Sequence, residues 1–323
     1  MITQKFFSLK GFVVLSLAAV GFTACDKEDD NTNTGGNTIT DVVVRTDDFS
    51  TLESAVLKGN VQATLSGQGP YTVFAPDNAA FTASGITTAV LNSLTADQVR
   101  SILLYHTLAA SVPAASVPAG PNAKVVTASG DSVFVTRNAS GVYVNGVKVT
   151  AADIPASNGV IHRIGRVLMP PVGNIVQTAS AAGSGLDSLV KAVTRATTAP
   201  GGDPTLATTL SNATLTVFAP TNAAFTQLLT ALNLKDINQI PVNTLLAVLR
   251  YHVVPGRAFS SDLTNGNLAM LAGGNTTVNL TNGTNGGPTI TGGGNGTAKA
   301  NITMANIVAR NGVVHVIDRV LQP

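Results

Sequence analysis

The chain of 323 residues has no tryptophan, one cysteine, four histidines and four tyrosines, and only 11% of it is charged. Each shortage excludes something. A lone cysteine closes no internal disulfide, so apolar burial must hold the fold. Charge lies well below the roughly 25% of an ordinary soluble protein, which leaves the surface to Thr, Ser, Asn and Gly. No basic stripe is present to follow a phosphate backbone, so nucleic acid is not an expected partner. The formal charge of +2 comes from Lys5 and Lys10 alone. Long apolar runs are missing too: GFVVLSLAAVGFTA, residues 11–24, falls short of the ~20 apolar residues that span a bilayer.

What is present begins with that run. Preceded by Lys5 and Lys10, it has the form of an export signal over residues 1–24. Phe22, Thr23 and Ala24 before Cys25 resemble the lipobox of bacterial lipoproteins, which implies an acylated Cys25 as first mature residue and a membrane anchor. Residues 25–38, opening DKEDDNTNTGGNT after the cysteine, offer nothing apolar to bury and read as a tether. The acids after Cys25 resemble the signal that sends Bacteroidetes lipoproteins to the outer face of the outer membrane. Asp26 under the enterobacterial rule implies inner-membrane retention instead.

The rest of the chain repeats. TVFAPDNAAF at Thr72–Phe81 returns as TVFAPTNAAF at Thr216–Phe225, 144 residues on. Tyr105-His106 returns as Tyr251-His252, and NGVIHRIGRVLMP at Asn158–Pro170 returns as NGVVHVIDRVLQP at Asn311–Pro323. Landmarks in one order at slowly growing offsets mean two homologous domains, expected at 39–171 and 172–323.

Each landmark has a physical reading. Thr-Val-Phe is β-prone, Pro76 keeps Ala75 extended, and Asp77 or Thr221 can cap a helix bearing Phe81 or Phe225. Thr95 to Gln98 has the form of a capping box. Val99, Ile102, Leu103 and His106 then follow helical spacing, as do Leu245, Val248, Leu249 and His252, which puts both histidines on an apolar, inward face. The third landmark is a near-continuous β-branched run in which His162 and His315 are expected to be buried as structural core histidines. Val142–Val144, Asn145-Gly146 and Val147–Val149 read as a hairpin. Each unit is helical early and β-rich late, hence α+β.

The three paired motifs closely resemble the fasciclin domain family, over roughly Ile39–Pro170 and Gly173–Pro323. The resemblance implies two tandem domains, each a β-wedge of two sheets packed with several helices. It also implies adhesion, and it makes Tyr105, His106, Tyr251 and His252 candidates for binding, although their expected burial argues against direct contact. Gly165 departs from the family's usual acid at the position that Asp318 fills in the second copy.

Chemistry is sparse. No nucleophile elbow, phosphate loop, H-E-x-x-H or C-x-x-C pair occurs, so no catalytic residue, metal site or cofactor is expected. A pair of histidines per domain is too few for a zinc site, and the plainer reading ties helix to sheet by hydrogen bonds. Gly292–Gly296 reads as a flexible loop tip. Asp131-Ser132 and Asp187-Ser188 resemble short O-glycosylation acceptors. The leading expectation is a non-enzymatic, lipid-anchored surface protein that adheres to cells, matrix, a cell-surface protein or polysaccharide. A glycan-capture accessory of a polysaccharide-uptake system is the alternative, with Tyr71 or Tyr143 as its sugar contacts.

Overall fold

The structure is a computed structural model, and it describes residues 37–181 and 183–323. The expected signal, Cys25 and most of the tether lie outside the described residues.

In the first repeat come helices α1 (Ile39–Arg45), α2 (Ser50–Lys58) and α3 (Gln62–Ser66), strand β1 (Tyr71–Pro76), then α4 (Asn78–Ala83), α5 (Thr88–Ser93) and α6 (Ala96–Tyr105). Strands β2 (Thr107–Leu108), β3 (Gly120–Val126), β4 (Ser132–Asn138), β5 (Gly141–Val144), β6 (Val147–Ala156) and β7 (Gly159–Ile164) complete it. The second repeat runs α7 (Ile175–Ala179), α8 (Asp187–Thr198), α9 (Pro204–Asn212), β8 (Leu215–Pro220), α10 (Asn222–Ala231) and α11 (Val242–Arg250). It ends in β9 (Val253–Pro255), β10 (Gly266–Ala269), β11 (Asn275–Asn279), β12 (Thr289–Thr291), β13 (Ala300–Ala309) and β14 (Gly312–Ile317).

Each repeat strings seven strands in one order, β2-β1-β7-β6-β5-β4-β3 and β10-β11-β12-β13-β14-β8-β9. The long strands β6 and β13 each carry two register shifts, and these bulges bend the ladder into the two leaves of the expected wedge. The last strand of each repeat pairs in parallel with its first, β7 with β1 and β14 with β8. That pairing places the central strand between helices and the second leaf. Burial follows: β8 and β14 are buried at every residue, which is why neither alternates apolar with polar residues and β14 reads as a β-branched run.

The local expectations have physical outcomes. Thr95 and Gln98 close their capping box and start α6. Asp77 accepts from the Ala80 amide and Thr221 from that of Ala224, each at a helix N-cap. Asn145 and Gly146 take positive φ between β5 and β6, the geometry an Asn-Gly hairpin turn demands. Gly292–Gly296 departs from the expected free loop tip. Gly294 N–H donates to Gln322 O, and Asn295 donates to Val320 O while accepting from Gln322 N, so the glycines are packed against the segment that follows β14.

The repeats meet within one compact unit, Gly36–Pro323. The Arg257 guanidinium lies 4.0 Å from the Phe134 ring centroid, and Phe134 and Phe259 rings lie 6.0 Å apart. Asn122 Nδ2 donates to Arg257 O at 2.6 Å and Asn138 Nδ2 to Ser261 O at 3.3 Å. Arg257 itself is held by donating to the Gly312, Ala309 and Arg310 carbonyls. The equivalent of Phe134 in the second repeat is Thr277, because Tyr105 and Tyr251 donate to Ser132 O and Asn275 O, two residues before each. Exchanging Phe134 for Thr is therefore compatible with the strand and removes only the aromatic contact. We expect Phe134→Thr to weaken the coupling by about 2 kcal/mol, from lost apolar burial and a partly desolvated cation–π contact. Small-angle scattering would then show a broader distance distribution, and calorimetry would resolve two unfolding transitions where one is expected for the parent. An unchanged single transition would count against the contact's role.

Candidate functional site

The two Tyr-His motifs and the two strand histidines form one arrangement, built twice. None of the six side chains is more than 3% exposed. His106 ends α6 and turns its ring inward. Its Nδ1 sits 2.7 Å from Ile102 O, and Leu168 N–H donates to its Nε2 at 2.9 Å. A carbonyl can only accept and an amide can only donate, so the ring is neutral with its proton on Nδ1. His252 repeats this with Val248 O and Leu321 N at 2.7 and 2.9 Å. The strand histidines use the opposite tautomer. His162 Nε2 donates to Val112 O and accepts at Nδ1 from Asp153 N–H; His315 does the same with Ala258 O and Asn306 N–H.

The bulges explain how this is possible. Asp153 and Asn306 sit in the register shifts of β6 and β13 with φ of 57° and 66°, which turns an amide that would have joined the ladder toward the histidine ring. Phe74 and Phe218 pack on these rings, at 5.7 and 5.3 Å between centroids. Burial pushes His106, His252 and His315 down to about 4. Tyr105 donates to Ser132 O and accepts from Asn145 Nδ2, and burial pushes it up to about 12. Tyr251 donates to Asn275 O and accepts from Gly293 N–H.

Both nitrogens of all four rings are thus spent on backbone groups, and no lone pair is left for a metal or for a proton in transit. Asp153 Oδ1 approaches His162 Nδ1 to 4.0 Å, yet the carboxylate accepts from Ala114 N–H at 2.9 Å, and asparagine stands in its place beside His315. Among the described residues no group of three or more His, Cys, Asp or Glu could hold a metal. No helix among them is long and apolar enough to cross a membrane.

Four fixed positions of the near-identical decapeptide now have a reason. Thr72 Oγ1 donates to Ala110 O and accepts from Val112 N–H, and Thr216 does so with Gly256 and Ala258, which aligns the carbonyl that the strand histidine needs. Phe74 and Phe218 stack on that histidine. Asn78 and Asn222 reach sideways to the Thr51 and Ser188 amides and fix the start of α2 and α8. Phe81 and Phe225 fill the core.

Two sets of residues escaped sequence reasoning. Asn158 accepts from Ile39 N–H and donates to Leu65 and Gly67 carbonyls, and Asn311 accepts from Ile175 and donates to Leu210 and Ala213. Their signal was present as the repeated Asn-Gly, which reads as a turn but acts as a clamp. Arg257 and Phe134 had no signal, because each exists in one repeat only. Asp318 accepts from Asn301 N–H and Nδ2 and locks the start of β13, while Gly165 leaves this lock out of the first repeat. Asp187, of the Asp187-Ser188 pair, accepts from Asn222 Nδ2. Asp131, of the Asp131-Ser132 pair, lies 4.0 Å from Arg310.

Comparison with known proteins places this architecture. The fasciclin domain family matches residues 47–170 and 189–323. The chain is similar to protein sll1483 of Synechocystis, at 38% identity over 42% of this chain and 74% of that protein. It is also similar to human periostin, at 28% identity over 74% of this chain and 26% of periostin, so it spans about a quarter of that relative. Among solved structures, the FAS1 domain pair of the insect cell adhesion molecule fasciclin I aligns over 85% of this chain and 97% of that one, at 18% identity and a TM-score of 0.39. With its motif histidines, strand order and bulges present twice, the chain belongs to the fasciclin domain family as a tandem pair.

Proposed function

We propose that this is a non-enzymatic adhesion protein, carried outside the cell on an acylated Cys25 and presenting two fasciclin domains to matrix, a cell-surface protein or polysaccharide. The observation that carries the reading is the use of every histidine as a backbone clamp within a family module present twice. The histidine nitrogens, the groups best suited to proton transfer near neutral pH, are consumed by the fold, which supports a function carried by the surface. Two linked modules can engage a repetitive target together, which raises avidity without new contacts. Because Tyr105, His106, Tyr251 and His252 are buried, their part in adhesion is to hold the surface in shape.

The test is protease digestion on intact cells of the host against lysed cells, followed by adhesion of purified residues 26–323 to immobilised matrix and to whole cells. Digestion without lysis together with saturable adhesion supports the reading. Protection until lysis sinks it.

A second reading, capture of a surface glycan, is favoured by an open, uncharged cleft of about 600 Å³ in the first repeat, where Ser66, Gln68, Ser111 and Ser157 meet. Tyr71 opens the strand beside it. Glycan binding lost on Tyr71→Ala, with adhesion retained, would select this reading.

A further inference from the structure

The second repeat contains an apolar cavity of about 80 Å³ between α7, α8, α11 and the sheet. Val176, Ala179, Val190 and Val193 form its outer part, and His252 and Val314 lie at its inner end. The His252 ring offers no free polar atom, since both nitrogens are bonded. Water inside would lack the two to four partners it needs, so the space is dry.

The two repeats of this one chain can be compared position by position, because the same hydrogen bonds set their register. Ile39 and Ile175 both donate to a clamp asparagine, and Thr51 and Ser188 both donate to a decapeptide asparagine. His162 and His315 align the strands. On that register Val43 of the first repeat corresponds to Ala179, and Ile161 to Val314: the cavity wall has lost methyl groups. Glu53 corresponds to Val190, so the mouth has lost a charge, and Thr40, buried with its hydroxyl donating to Gln62 O, corresponds to the half-buried Val176. Phe49, buried at the start of α2, corresponds to the smaller Leu186. A chance packing defect would explain smaller residues inside. It does not explain the half-buried Val190 where the sister repeat has the half-buried Glu53, since solvent contact there favours polar groups. Emptying the interior and greasing the entrance together are what an apolar guest requires.

We propose that the second repeat binds the aliphatic end of an uncharged amphiphile in this cavity, with the polar head at the rim beside the Ser180 and Thr194 hydroxyls. The inner end closes on His252 and Val314, so a linear chain end enters and a bulky ring system does not. The first repeat, with Val43, Ile161 and Glu53 in place, does not bind.

The probe is 1-hexanol, titrated into residues 26–323 with ¹³C-labelled valine methyls followed by NMR. The expected result is saturable 1:1 binding, with shifts at Val176, Val190, Val193 and Val314 and none at Val43 or Val56. Restoring the first repeat's bulk with Ala179→Val/Val314→Ile is expected to weaken binding at least tenfold. Val190→Glu leaves the interior intact, charges the mouth, and is expected to weaken it similarly, which keeps the test decisive if the double variant folds poorly. Non-saturable shifts, equal shifts in both repeats, or unchanged affinity in a folded variant would overturn the proposal. So would a cavity that admits xenon but not 1-hexanol, which marks a packing void only.

Discussion

Acidification from pH 7 to pH 4 is expected to remove most of the protein's stability, and to remove more from the second repeat than from the first. His106, His252 and His315 are held neutral in the fold down to about pH 4, because burial disfavours the imidazolium and because an amide N–H points at the one nitrogen that would take the proton. In the unfolded chain the same rings take up protons near 6.5. Between those values the unfolded state binds more protons than the folded one, so stability falls as pH falls through this window and levels off below it. Each ring contributes at most about 3 kcal/mol at pH 4, from 1.36 kcal/mol per pH unit. Against the 5–15 kcal/mol of a typical domain, that is about 3 kcal/mol for the first repeat and about 6 kcal/mol for the second. Two of the three, His252 and His315, belong to the second repeat.

Urea midpoints between pH 7 and 4 would measure the slope. Hydrogen exchange on β14 against β7 would show which repeat opens first. A flat stability over this range would mean that the rings are not neutral clamps. Asp41, Asp187 and Asp203, whose carboxyls are held below the usual range mainly by hydrogen bonds from Thr38, Asn222 and Thr205, act in the same direction but only below about pH 3.8.

The second large effect concerns the parallel strand pair at the centre of each repeat. A Cβ on Gly312 would lie 2.0 Å from Leu215 O, and one on Gly159 would lie 2.1 Å from Tyr71 O. No side-chain rotation relieves a clash with backbone. Either β8 and β14 separate, which breaks the ladder and the asparagine clamp beside it, or the substitution is not accommodated. Gly312→Ala and Gly159→Ala are each expected to cost more than about 4 kcal/mol, the range reserved for backbone clashes and lost core packing. Gly165→Ala is the control, since its nearest new neighbour would be at 3.7 Å, an ordinary contact. It is expected within about 0.5 kcal/mol of the parent. Thermal or urea unfolding of the three variants would check this, and a mild Gly312→Ala would refute the close approach.

Legibility followed the range of the forces. The Thr95 capping box, the Asp77 and Thr221 caps and the Asn145-Gly146 turn involve atoms within about four residues, and each was readable as written. The burial of His106 and His252 followed from helical spacing alone. The Asn-Gly of the last landmark was visible twice, yet its clamp role was not, because its partners lie near Ile39 and Leu65, far off in sequence. Gly292–Gly296 read as free because nothing local holds it; its partner is the segment that follows β14.

The sequence by itself determined that there are two copies of one module, where its helices start, which faces turn inward, and which family it belongs to. These are matters of periodicity, local hydrogen bonding and repetition. Only the tertiary structure decided that every histidine nitrogen is spent on a backbone group, that Arg257 meets Phe134 across the repeats, and that an apolar cavity lies between α7, α8, α11 and the sheet. Each depends on atoms brought together from distant parts of the chain, and close packing at that range is set by volume and geometry that composition and spacing do not encode.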